Sequence, residues 1–135
     1  MPGETNLRKL LGSMSPELLP GVFVFAAHSP GTPLPSDIRP IMIFREREGD
    51  TLILLEEEAR AAGLSSAFRS RMITLNIHSS LEAIGFLAAI TARLAAAGMG
   101  VNPVSAYFHD HLFVPADRAD EAVAILKTIV VENRD

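Results

Sequence analysis

Apolar residues fall at two spacings along this chain, and the switches between them mark its elements. Leu7, Leu10, Leu11 and Met14 stand three and four apart, which predicts a short helix over 6–14 capped by Thr5 or Asn6 and stopped at Pro16. After Gly21, the run 22–27 is rich in β-branched and aromatic residues and predicts a buried strand. Four prolines and a glycine between Pro30 and Pro40 leave no helix interior or central strand there, so this is a loop and a candidate lid. Two strand-like runs, 41–44 and 51–55, are joined across 45–50, where Gly49 suits a hairpin turn. A short helix over 56–62 follows, with Glu56, Glu57 and Glu58 in its first turn and Gly63 as its stop.

The centre of the chain is the stretch 72–115. Ile73, Leu75 and Ile77 alternate with Thr74, Asn76 and His78, the period of a strand with one apolar and one polar face. A polar elbow at His78, Ser79 and Ser80 leads into an alanine-rich segment that predicts a helix over 81–97, ended by Gly98. Ser79 stands three residues before Glu82, the spacing of a capping box. Leu81, Ile84, Leu87 and Leu94 form one stripe, while Phe86, Ala89, Ile90 and Ala97 cover much of the remainder, so the helix calls for neighbours on two sides. A hairpin over 101–115 turns at His109 and Asp110, and a last amphipathic helix begins with Asp117 as its N-cap. The tail 131–135 predicts a short strand or a frayed end. Strand, helix, strand, strand, helix is the split βαβ order of an α+β, ferredoxin-like fold. The first half reads helix, strand, strand, strand, helix, so two degenerate copies, 1–68 and 69–135, are predicted to pack together.

Composition narrows the function classes. Of the 135 residues, 48% are apolar and 21% charged, which excludes a disordered chain. With no cysteine there is no disulfide framework, thiolate metal site or cysteine nucleophile. A net charge of −4 without a basic run provides no footprint for nucleic acid. The N-terminus resembles no secretory or transit signal, and the apolar stretch 83–92, bracketed by Glu82 and Arg93, is too short to span a bilayer. These readings predict a cytoplasmic protein with no nucleic-acid or membrane partner.

Several residue groups invite chemistry. Ser79, Ser80 and the amides of the following helix could receive a ligand carboxylate, because unpaired donors and the helix dipole both favour an anion there, although capping alone also accounts for the serines. His109 and His111 flank Asp110 with the spacing of same-face strand ligands, but no third ligand is evident in sequence, and hairpin hydrogen bonding explains them as well. Asp110 reads as a turn residue. The Glu56 run is a solvated helix start, and Ser79 lacks the base and GxSxG context of a nucleophile.

The run from Ile84 to Ile90, continuing through Leu94-Ala95 and Gly98-Met99-Gly100-Val101, resembles the first helix and second strand of ACT domains, small regulatory modules that sense amino acids in enzymes such as aspartate kinase. Gly85 falls at the family's glycine after the ligand loop, whereas Ile84 replaces a frequent proline. Ser79 to Ala83 together with His109 to Pro115 resembles a stand-alone prokaryotic family with two tandem ACT-like halves, similar to the eukaryotic cytosolic arginine sensors. The resemblance implies a non-catalytic sensor that needs no cofactor, pairs with a second copy edge to edge or side by side, and holds an amino acid or similar metabolite at the elbow. By position it places His78, Ser79, Ser80, Leu81, Glu82 and Gly85 in the ligand loop and Asn102 and Val104 on the facing strand. Two other classes remain open: an oligomerisation module without ligand, and a metal enzyme using His78, His109 and His111.

Overall fold

A computed structural model of the chain describes residues 3–134. They form helices α1 (Leu7–Ser13), α2 (Glu56–Ala61), α3 (Phe86–Ala96) and α4 (Ala119–Glu132), and strands β1 (Ser15–Leu18), β2 (Phe23–His28), β3 (Met42–Arg45), β4 (Asp50–Leu55), β5 (Ser66–Asn76), β6 (Asn102–Ser105) and β7 (Asp110–Pro115). Two compact units result, one from Met1–Pro20 with Arg71–Asp135, the other from Gly21–Ser70.

In the first unit the strands run in the order β1, β5, β7, β6. The crossover from β5 through α3 to β6 with β7 between them is the split βαβ of the ferredoxin-like fold. Ile73 and Leu75 of β5 and Leu112 and Val114 of β7 face one way, and α1, α3 and α4 close over them with Leu10, Leu11, Met14, Phe86, Ile90, Leu94, Leu126, Ile129 and Val130. The period-two pattern therefore puts the apolar row of β5 into the core, as its alternation predicts. At the C-terminus of α3, the Arg118 guanidinium donates to the carbonyls of Ala97 (2.8 Å) and Gly98 (3.0 Å) and is held by Glu121. These bonds satisfy acceptors that the helix end leaves unpaired.

In the second unit β3, β4, β2 and residues 66–70 of β5 lie side by side in that order. Its core is Val24, Ala26, Leu52, Leu54 and Ala59, joined by Ile38 from the proline-rich loop. A register shift between β2 and β5 accompanies Phe68 at φ 61°, a left-handed conformation rare for an aromatic residue, and the bulge sets its ring edge-on to Phe25 at 5.9 Å.

Five expectations are corrected. β1 was not expected: Ser15-Pro16-Glu17-Leu18 pairs antiparallel with residues 73–76, and Pro16 is tolerated because the strand lies outermost in its unit. β5 begins at Ser66, six residues before the predicted strand. α3 begins at Phe86 instead of 81, because Gly85 adopts φ 88° and breaks the helical path. Asp117 does not cap α4: it lies within a 3-10 turn, Ala116–Arg118, and no side chain among the described residues caps the helix start. The end of the chain is helical to Glu132 where a strand or frayed end was expected, and Asp135 lies outside the described residues.

Candidate functional site

β5 ends at Asn76, and the chain then bends through Ile77, His78, Ser79 and Ser80 before α3. The predicted capping box does not form. The Ser80 hydroxyl accepts from Glu82 N–H (3.0 Å), closing a local turn, while the buried Ser79 hydroxyl donates to Asp110 Oδ2 (3.2 Å). Gly85 supplies no side-chain cap to α3. The first-turn amides of Phe86, Leu87 and Ala88 therefore lack intrahelical acceptors.

The residues that carry them border a cleft of about 250 Å³, lined by Ser79, Ser80, Leu81, Ala83, Gly85, Phe86, Leu87, Ala88, Ser105 and Asp110. Asp110 opens β7 and does not occupy the hairpin turn, which correction follows from pairing: Ala106 N–H donates to the His109 carbonyl (3.0 Å), so Tyr107 and Phe108 form the tip. Asp110 is only 7% exposed. One of its oxygens accepts from Ser79, and the other has no hydrogen-bond partner among the described residues. The cleft thus sets a buried carboxylate and two serine hydroxyls opposite the positive end of an 11-residue helix.

Of the residues assigned to the ligand loop, Ser79, Ser80, Leu81 and Gly85 line the cleft and His78 and Glu82 do not; neither do Asn102 and Val104, assigned to the facing strand. His78 is exposed, its ring beside Tyr107 (6.4 Å) and Phe108 (6.2 Å). Glu82 is also exposed. Asn102 and Val104 pair with Phe113 and His111, and the facing strand contributes Ser105 instead. Ser105 and the carboxylate role of Asp110 escaped the sequence reading; the one available signal was the register that a two-residue hairpin tip imposes on 105 and 110.

The polar row of β5 is engaged. Thr74 bonds His111 Nδ1 (3.0 Å), Asn76 donates to Glu17 (2.9 Å), and His109 Nδ1 lies 3.3 Å from the Ile77 carbonyl. Burial first, then the neighbouring His109, lowers the His111 pKa below its ordinary value, against the opposing pull of Asp110. Lowering favours the neutral ring, which can share one hydrogen bond with the Thr74 hydroxyl in either tautomer. The His109 and His111 rings are 6.4 Å apart, and no group of three His, Cys, Asp or Glu converges among the described residues.

ACT-domain family models match residues 2–71 and 67–128. The chain belongs to the ACT-domain family, with two tandem ACT halves. ACT domains are regulatory modules. A Vibrio cholerae protein of unknown function is 42% identical, with a TM-score of 0.81 over 92% of this chain and 95% of that one. An Agobacterium tumefaciens protein is 16% identical, with a TM-score of 0.71 over 87% and 89% of the two chains. The ligand-free regulatory subunit of aspartate kinase from Thermus thermophilus is 12% identical, with a TM-score of 0.64 over 88% and 97%. At those lower identities the likeness is one of fold. No match is found among curated proteins. Among the described residues of this ACT protein, no helix is long and apolar enough to cross a membrane.

Proposed function

We propose that this ACT protein is a non-catalytic regulatory sensor whose elbow cleft binds an amino acid or similarly small metabolite. The observation that carries this reading is the pairing, in one cleft, of uncapped α3 amides with the buried Asp110 carboxylate. A zwitterion fits that polarity: its carboxylate meets the helix start and its ammonium meets Asp110. The 250 Å³ volume suits a metabolite smaller than a drug-sized ligand. Binding would shift the population of two arrangements, because ligand contacts join the elbow, α3 and β7.

The tandem halves divide at 1–68 and 69–135 in sequence, and the protein acts as a cytoplasmic homo-oligomer in this reading. Pro103 bears on how a second copy docks. Ala106 and His109 form a bonded pair, so by antiparallel alternation the Pro103 nitrogen points to the free side of β6, where it offers no donor. That edge is a poor template for strand addition. Side-by-side contact is the better fit, through apolar side chains around the elbow: Leu81 (67% exposed), Ile84 (86%), Tyr107 (64%) and Phe108 (66%). The same exposed groups favour the oligomerisation-module reading, in which metabolites leave the assembly unchanged.

Isothermal titration against the twenty amino acids, with light scattering before and after saturation, tests both readings. The sensor predicts that at least one amino acid binds at sub-millimolar concentration. Failure of all twenty at millimolar concentration, with a stable assembly, would leave the oligomerisation module.

A further inference from the structure

The elbow is bordered by a segment that neither its sequence pattern nor the ligand reading accounts for. Glu4 N–H donates to the His78 carbonyl (2.9 Å), and Ser80 N–H donates to the Glu4 carbonyl (3.0 Å), so Glu4 forms a parallel bridge with Ser79. Gly3 comes so close that a Cβ there would collide with the His78 carbonyl oxygen and stand 2.5 Å from the Ser79 carbonyl carbon and 2.6 Å from the Ser80 nitrogen. These are backbone atoms, which cannot swing aside as a flexible side chain does. The segment is anchored at its other end. The Glu4 carboxylate accepts from Thr5 and Asn6 N–H (2.9 and 3.1 Å) and pairs with Lys9 (3.2 Å), and the Asn6 side chain caps α1, whose Leu10 and Leu11 lie in the core.

We propose that residues 3–5 are a strap that holds the elbow in its ligand-ready shape, with Gly3 and Glu4 as positioning residues. The inference rests on reading the elbow cleft as the ligand site. Ser79, which the strap flanks on both sides through His78 and Ser80, is the residue that bonds Asp110. Without the two strap bonds, the His78 carbonyl and the Ser80 N–H lose the backbone partner they share, and the Ser79–Asp110 contact samples other geometries. The strap therefore lowers the ordering cost of binding, the physical meaning of preorganisation.

The test is Gly3→Ala in the full chain, with Gly100→Ala as control, since a Cβ at position 100 meets nothing within 4 Å. Amide hydrogen exchange of the ligand-free protein is read first. Ser80 N–H should exchange at least about fivefold faster in Gly3→Ala, the loss of one net hydrogen bond, and α3 and α4 should keep their helical amide pattern. Each of the twenty amino acids is then titrated singly, and any that binds the natural chain should bind Gly3→Ala at least about fivefold more weakly and Gly100→Ala equally well. Should Gly3→Ala lose the helical amide pattern of α4, Glu4→Pro, which deletes the donor to His78 without adding a Cβ at position 3, is read in its place. Unchanged Ser80 exchange overturns the strap. Faster exchange with unchanged affinity overturns its positioning role. If no amino acid binds the natural chain, the ligand reading of the cleft and the positioning role fall together, and the exchange data alone still decide whether the strap holds the elbow.

Discussion

The two units carry the same split crossover and fill it differently. In the first, β5 and β6 flank β7 and are joined through the elbow and α3; in the second, β2 and β3 flank β4 and are joined by the loop 29–41. Four prolines keep that loop from becoming a helix. It seats Ile38 and Leu34 against the strands and ties itself to α2 through Arg39 N–H and Glu58 (2.6 Å), which covers apolar surface but creates no helix start. Of the two crossovers, among the described residues, the α3 one brings an uncapped helix start to a carboxyl-bearing cleft. The cores differ as well: among the described residues, sixteen buried side chains cluster in the first unit against six in the second. Local opening should cost less where fewer apolar contacts are lost, so the second unit should exchange its amides first.

The contrast can be broken at four points. The largest effect comes from expressing 69–135 alone, which keeps the elbow and α3 but removes β1 and the buried Leu10, Leu11 and Met14. At about 1.5–3 kcal/mol for each large side chain, the loss rivals a typical domain's whole stability, so the fragment should show the collapsed amide dispersion of an unfolded chain by NMR. Next, Asp110→Asn should weaken amino-acid binding by about 2 kcal/mol, roughly 30-fold, by removing the charge that meets an ammonium. Ser79→Ala, which keeps that charge and removes only its hydroxyl partner, should cost roughly fivefold. Equal losses by titration calorimetry would mean that Asp110 matters only for pinning the elbow. The expected stoichiometry is one ligand per chain, and two would show that the proline loop makes a second site after all.

A smaller effect is expected from Arg118→Ala, which strips the carbonyl partners from the end of α3 and should lower stability by about 1 kcal/mol in urea denaturation, with no counterpart in the loop crossover. The smallest is a pH effect from His111. Its pKa is lowered in the folded state, so the unfolded chain binds more protons in the window between that lowered value and the ordinary value near 6.5. Its contribution to stability is complete above the ordinary value and is lost as pH falls through the window. His111→Asn should flatten that part of the stability profile, and an unchanged slope would assign it elsewhere.

The strands and helices that announce themselves by period were legible, and the departures from them share a cause. Leu81 and Ile84 continue the helical spacing of Leu87 and Leu94 in sequence, yet both are exposed before the helix begins, since one left-handed glycine outweighs a run of favourable propensities. β1 has four residues and a proline, too little pattern to read without its partner in β5. Asp110 has the composition of a turn residue, and only the register of β6 against β7 moves it into a strand and under Ser79.

By itself the sequence determined which faces are apolar, where the chain must turn and that the second crossover carries the helix, because side-chain period and proline act locally. Tertiary structure alone decided what the elbow can do. The uncapped start of α3, the buried carboxylate from a strand thirty residues on and the strap from the N-terminus meet through hydrogen bonds between distant segments, and no local pattern encodes which distant partner will be close enough to accept a proton.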